Sequence, residues 1–90
     1  MPDIVWTDYI RYRAELRGFD LEILAGIIRN SSERYLDTET GRMIVVGRYN
    51  KQLVLVPYEV QGNTVTPVTI HAITRQQIRF RLRTGRFTNE

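Results

Sequence analysis

Apolar positions recur at helical spacing near the start of the chain and at strand spacing through its middle. After the short apolar opening "DIVW", a strand or an anchoring coil, Thr7 offers an N-cap for a helix over residues 8–17. Tyr9, Tyr12 and Leu16 recur there at helical intervals, with Arg11, Arg13 and Arg17 among them, and Gly18 provides the stop. Asp20 is a second N-cap, with Phe19 and Leu24 at the two positions of a hydrophobic staple. Ile23, Leu24, Ile27 and Ile28 make the apolar stripe of this second helix, and Asn30 can close it.

From residue 33 the period shortens. "ERYLD" and "RMIVVGRY" flank the turn "TETG", and "QLVLVPYEV" follows a tight "NK" turn. Leu53 to Val56 are all apolar, which predicts a strand covered on both faces. "QGN" turns the chain into "TVTPVTIHA", where Val68, Ile70 and Ala72 share one face and Val65, Thr69 and His71 the other. Pro67 cannot donate to a ladder, so that strand is an edge or starts irregularly.

The next stretch carries two periods at once. "IRFRLR" alternates as a strand does, which would put Ile78, Phe80 and Leu82 together. Thr74 and Gln77, however, form a capping box and Gly85 stands where a helix stops, and this favours a helix over 75–84. On that helix Arg75, Arg79 and Arg83 stack at successive turns, Ile78 and Leu82 face the sheet, and Phe80 projects away from it. The expected fold class is α+β: two N-terminal helices, a four-stranded mostly antiparallel sheet and one C-terminal basic helix.

Ninety residues make one domain, spanning 1–90. The longest apolar stretch, around "LVLVPY", is far short of the roughly 20 residues that cross a bilayer. No basic start precedes an apolar run, so no secretory signal is visible. These features predict a cytoplasmic protein with no membrane association. The absence of cysteine removes disulfides and thiolate chemistry, and with a single histidine a structural zinc site is not expected. No cofactor motif is present.

Charge changes the picture more. Residues 1–40 carry five Arg against eight acids, a net of −3, whereas residues 41–90 carry seven Arg and one Lys against two acids, a net of +6. Such polarity suggests a surface that meets an anion. Twelve of the thirteen basic residues are Arg, the side chain that grips phosphate bidentately and stacks on bases. Arginine usage that follows genome composition is the plainer explanation of the ratio, though not of the split.

Three stretches resemble one known family. "IVWTDYIRYRAELRGFDLEILAGII", "RMIVVGRYNKQLVLVPY" and "VTIHAITRQQIRF" are similar to the opening helices, the central hairpin and the closing strand with its following helix in the BrnT-type branch of the RelE/ParE toxins. A sister group of uncharacterised small domains is about equally similar. The resemblance covers nearly the whole chain through a loose pattern of glycine, apolar and basic positions. It implies a toxin of a type II toxin–antitoxin pair: a small RNase or translation inhibitor silenced by a cognate antitoxin protein. The chain departs from the family pattern at Gln77 and Ile78, where the family often has an acid followed by Arg. It departs again at Ile73, where the family carries a basic residue.

RNA cleavage needs a base for the 2′-OH, cations for the charge on phosphorus and an acid for the leaving 5′-oxygen. His71 is the one side chain that ordinarily titrates near neutrality. Glu59 or His71 is a candidate base, and Arg48, Arg75 and Arg79 are candidates to stabilise the phosphorane. Arg48, Tyr49, Lys51, Tyr58 and Arg83 are candidates to hold RNA, the tyrosines by stacking on bases. Phe80, if helical, is an exposed anchor for a protein partner. Each has a plainer reading: a packing histidine, half-buried sheet tyrosines, a solvated arginine face. Two rivals to the toxin therefore stand. One is a non-catalytic module holding RNA or an acidic partner, and the other is a structural subunit that self-associates through Phe80 and its helix.

Overall fold

The computed structural model describes residues 2–89. The elements run β1 (Asp3–Ile4), α1 (Asp8–Arg17), α2 (Leu21–Asn30), β2 (Arg34–Asp37), β3 (Met43–Tyr49), β4 (Gln52–Gln61), β5 (Thr64–Pro67), β6 (His71–Ile73), α3 (Arg75–Arg83) and β7 (Phe87–Asn89). The class is α+β, but the sheet is larger than expected. It has seven strands in the order β1-β5-β4-β3-β2-β7, with β6 on β4, and it is mixed because β1 lies parallel to β5.

Four mostly antiparallel strands are thus corrected to seven, for two physical reasons. Two short segments join the sheet ends by backbone pairing to distant partners, β1 against Thr64 and Val65 and β7 against β2. The expected single strand over "TVTPVTIHA" is broken after Pro67. β5 pairs Tyr58–Gln61 of β4, and β6 pairs Leu53–Leu55. Across the break the faces change: Val65, Pro67 and Ile70 are buried, while Ala72 is exposed.

The helices follow their local signals. Thr7 accepts from the Ile10 N–H and Asp20 from the Glu22 N–H, and Gly18 ends α1 in the left-handed region at φ 74°. Thr74 and Gln77 make both bonds of the capping box on α3. That resolves the double period of "IRFRLR" in favour of a helix.

Helices cover both faces of the sheet. On one face α1 and α2 bring Ile10, Ala14, Leu24 and Ile28 onto Val45, Val54, Val56 and Val65. On the other, Ile78 of α3 packs with Ile44, Val46, Leu55, Ile73 and Phe87. The apolar run from Leu53 to Val56 is divided between these two clusters, as a strand covered on both sides requires. α2 approaches β3 closely at Gly47, where an added Cβ would stand 2.4 Å from Ile27 Cγ2. No helix is long and apolar enough to cross a membrane, among the residues described.

Candidate anion-binding cleft

α3 leaves β6 and crosses the sheet to reach β7. At 100° per residue it presents two flanks beside the buried Ile78. Arg75, Arg79 and Arg83 lie on one flank, Gln77 and Arg81 on the other. The second flank overhangs a cleft of about 350 Å³. Its floor includes Leu55, Pro57 and Phe87, and its polar rim includes His71, Gln77, Arg81, Arg42 and Arg86.

His71 begins β6 directly opposite Leu55, and so faces the α3 side of the sheet. Partial burial pushes its pKa below the ordinary value, and Arg17, Arg13 and Arg81 push it further in the same direction. The imidazole is therefore neutral near pH 7 in a positive field, a state suited to accepting a proton beside an anion. Arg81 lies over the Phe87 ring at 5.4 Å and has no carboxylate partner among the described residues.

The far wall is built around Asp37, the one buried charged residue among those described. Arg86 grips it with two bonds, Nε to Oδ1 at 2.8 Å and Nη2 to Oδ2 at 3.0 Å, and reaches Glu39 through Nη1 at 2.9 Å. The Arg86 hydrogen bond is the main cause holding the Asp37 carboxyl below its ordinary value. Arg42 Nε meets Glu59 Oε2 at 3.3 Å, a solvent-exposed pair.

The residues expected from sequence divide between this cleft and other places. His71 is in the cleft, whereas Glu59 lies outside its lining and pairs with Arg42 on the rim. Arg75 turns the other way and donates through both terminal nitrogens to Glu33, beside β2. β4 and β3 lie between β6 and β2, so Glu33 is about 14 Å from His71 at strand spacing. Burial would raise the Glu33 carboxyl, but hydrogen bonds from Arg75 and Tyr35 outweigh it and hold it low. Tyr35, half-buried and donating to Glu33, is pushed up to about 12.

Arg48 is exposed on β3 opposite Leu53, next to the Asn50–Lys51 turn, at the end of the sheet away from the cleft. Lys51, Arg79 and Arg83 are exposed, and Arg83 lies 5.9 Å from the centre of the exposed Phe80 ring. The two tyrosines require a correction. Tyr49 and Tyr58 are buried among the α1 and α2 side chains, so neither ring face can stack on a base. Tyr49 Oη instead accepts from the Asp20 N–H at 2.7 Å, and Tyr58 Oη accepts from Arg34 at 3.0 Å.

Sequence reasoning missed Arg42, Arg81, Arg86 and the Asp37 brace. Gln77 and Arg81 stand one turn apart, which was a usable signal for the second flank of α3. The pairing of Arg86 with Asp37 spans 49 residues and left no local trace. Among the described residues no cluster of His, Asp or Glu has the make-up to hold a metal ion. Comparison with known proteins gives no match to any family model, curated protein or solved structure.

Proposed function

We propose that this protein is a small cytoplasmic toxin of a type II toxin–antitoxin pair, an RNase-like translation inhibitor that takes RNA into the cleft beside α3. The observation that carries the reading is the juxtaposition of the sole histidine with Arg81, a cation that no carboxylate engages among the described residues, in a cleft also bordered by Arg42 and Arg86. In this reading Arg81 holds the scissile phosphate, while Arg42 and Arg86, paired with Glu59 and with Asp37 and Glu39, complete a polar rim along the backbone. Neutral His71 takes the 2′-OH proton, and the 2′-oxygen attacks phosphorus and closes a cyclic phosphate. The P–O5′ bond breaks, and the 5′-oxygen receives its proton from the imidazolium or from water. Arg75, Arg79, Arg83 and Arg48 then serve as outlying phosphate contacts, and the exposed Phe80 as a contact for the antitoxin.

One feature favours the alternative, a module that binds RNA or an acidic partner without chemistry. Arg75 and Glu59, two of the expected catalytic groups, are engaged in ion pairs, and the cleft's own carboxylate, Asp37, is held by Arg86, so no free second acid or base stands beside His71 among the described residues. Induced expression in a bacterium separates the two readings. Growth arrest with RNA fragmentation that His71→Gln relieves supports the enzyme. Arrest without fragmentation, unchanged by His71→Gln, supports the binding module.

A further inference from the structure

α1 buries Ile10 and Ala14 against the sheet, yet three large side chains on its outer flank stay open. Tyr9 is 55% exposed, Tyr12 62% and Leu16 65%. Their spacing of three and then four residues aligns them in one stripe, the a-d-a positions of a heptad seam. Scattered exposed apolar residues are ordinary, but a contiguous stripe of this composition is that of an interface core.

The charges beside the stripe are sorted. Asp8 and Glu15 lie along one border, at the g positions of the same heptad. Arg13 lies along the other, at the e position, with its guanidinium 5.8 Å from the centre of the Tyr9 ring. None of the three forms an ion pair within the chain, among the described residues. Arg13 Nε is buried and has no hydrogen-bond acceptor among the described residues. A seam with acid on one border and base on the other is complementary to itself when two helices run parallel. A residue at g then meets e five places on in the partner helix, and five places on from Asp8 is Arg13. An antiparallel pair would set acid against acid and base against base.

We propose that α1 is a homodimer interface. Two copies pair their α1 helices in parallel, with Tyr9, Tyr12 and Leu16 filling the seam and Asp8 of each copy meeting the partner's Arg13. The tyrosine hydroxyls reach the wet rim while their rings are buried. Two copies give two such ion pairs around one short seam, so the dimer is at the weak, small-area end of protein interfaces. α1 and the cleft lie on opposite faces of the sheet, and the dimer touches the RNA-binding reading only through Arg13, one of the three arginines that lower the His71 pKa.

The test is sedimentation of the full chain over a dilution series reaching several hundred micromolar, with circular dichroism melts to show that each variant folds. The wild type is expected to dimerise reversibly and Leu16→Glu to remain monomeric. Tyr12→Ser, a milder change, is expected to weaken the dimer measurably. Asp8→Lys, or separately Arg13→Glu, is expected to weaken it about tenfold, since an attractive pair becomes repulsive twice over. Both changes in one chain restore the wild-type affinity. A wild type that stays monomeric at the highest concentration overturns the proposal. So does a dimer indifferent to Leu16→Glu, a dimer dissociated instead by Phe80→Ser, or a double charge swap that restores nothing.

Discussion

His71 has a pH signature that follows from its surroundings. Its folded pKa lies below the ordinary value of about 6.5, so on acidification the unfolded chain binds the proton first. Stability is unaffected well above pH 6.5. It falls as pH drops through that value, and the loss is complete below the folded pKa. A ring-proton titration by NMR should give a midpoint below 6.5. Removing the Arg81 charge by Arg81→Gln should raise it, and a bound phosphate should raise it further. A midpoint at or above 6.5 in the unliganded protein would contradict the positive field ascribed to Arg17, Arg13 and Arg81. Asp37 works in the opposite sense. Its depressed carboxyl stabilises the fold above the ordinary carboxylate pKa, and this contribution is lost as pH falls through the folded value. Asp37→Asn should cost about 1–2 kcal/mol at neutral pH in a urea melt, reduced from the full value of a buried pair because Arg86 is partly exposed.

Among the elements, α3 and β3 make the sharpest commitments. Thr74→Ala removes one half of the capping box and should lower stability by about 1 kcal/mol in a thermal melt. Gly47→Ala places a methyl group against Ile27, so α2 must shift off β3, at about 1–3 kcal/mol. A melt unchanged by either substitution would mean that the cap or the helix–sheet contact is not formed in solution. The same elements show what the sequence could disclose. α1, α2 and α3 were legible because Thr7, Asp20, Thr74 and Gln77 act within four residues of their own position. β1 and β7 were not, because two or three residues carry no period and their pairing is decided by Thr64 and Tyr35, far along the chain. The break after Pro67 was half legible: the proline announced an irregular strand but not the change of face from Pro67 to Ile73. The cleft shared that limit. His71 stood out by its chemistry, whereas Arg42 and Arg86 look in sequence like any other arginine, and Tyr49 and Tyr58 look like half-buried strand residues with a ring face to spare until α1 and α2 cover them.

At the scale of the molecule the charge split acquires a location. Arg75, Arg79, Arg81, Arg83 and Arg86 all lie in or just after the helix that covers one face of the sheet, Arg48 lies on β3 and Arg42 just before it. Of these, Arg42, Arg75 and Arg86 are matched by carboxylates, and the other four have no such partner among the described residues. An extended polyanion crossing this face should therefore lose affinity with salt, with a log–log slope of about −0.7 per phosphate contacted. Replacing Arg79 and Arg83 together with Gln should flatten that slope while leaving the melt nearly unchanged, because both side chains are exposed and neither meets a carboxylate among the described residues. The central claim is that the His71–Arg81 cleft holds and cuts RNA. It is tested most directly by incubating the purified protein with a labelled single-stranded RNA and following binding and cleavage in parallel for wild type, Arg81→Gln and His71→Gln. The account predicts that the wild type binds and cleaves, that Arg81→Gln binds more weakly and flattens the salt slope by about 0.7, and that His71→Gln still binds but cleaves about 10²–10⁴ times more slowly. RNA binding that neither substitution alters, or cleavage undiminished in His71→Gln, would contradict it.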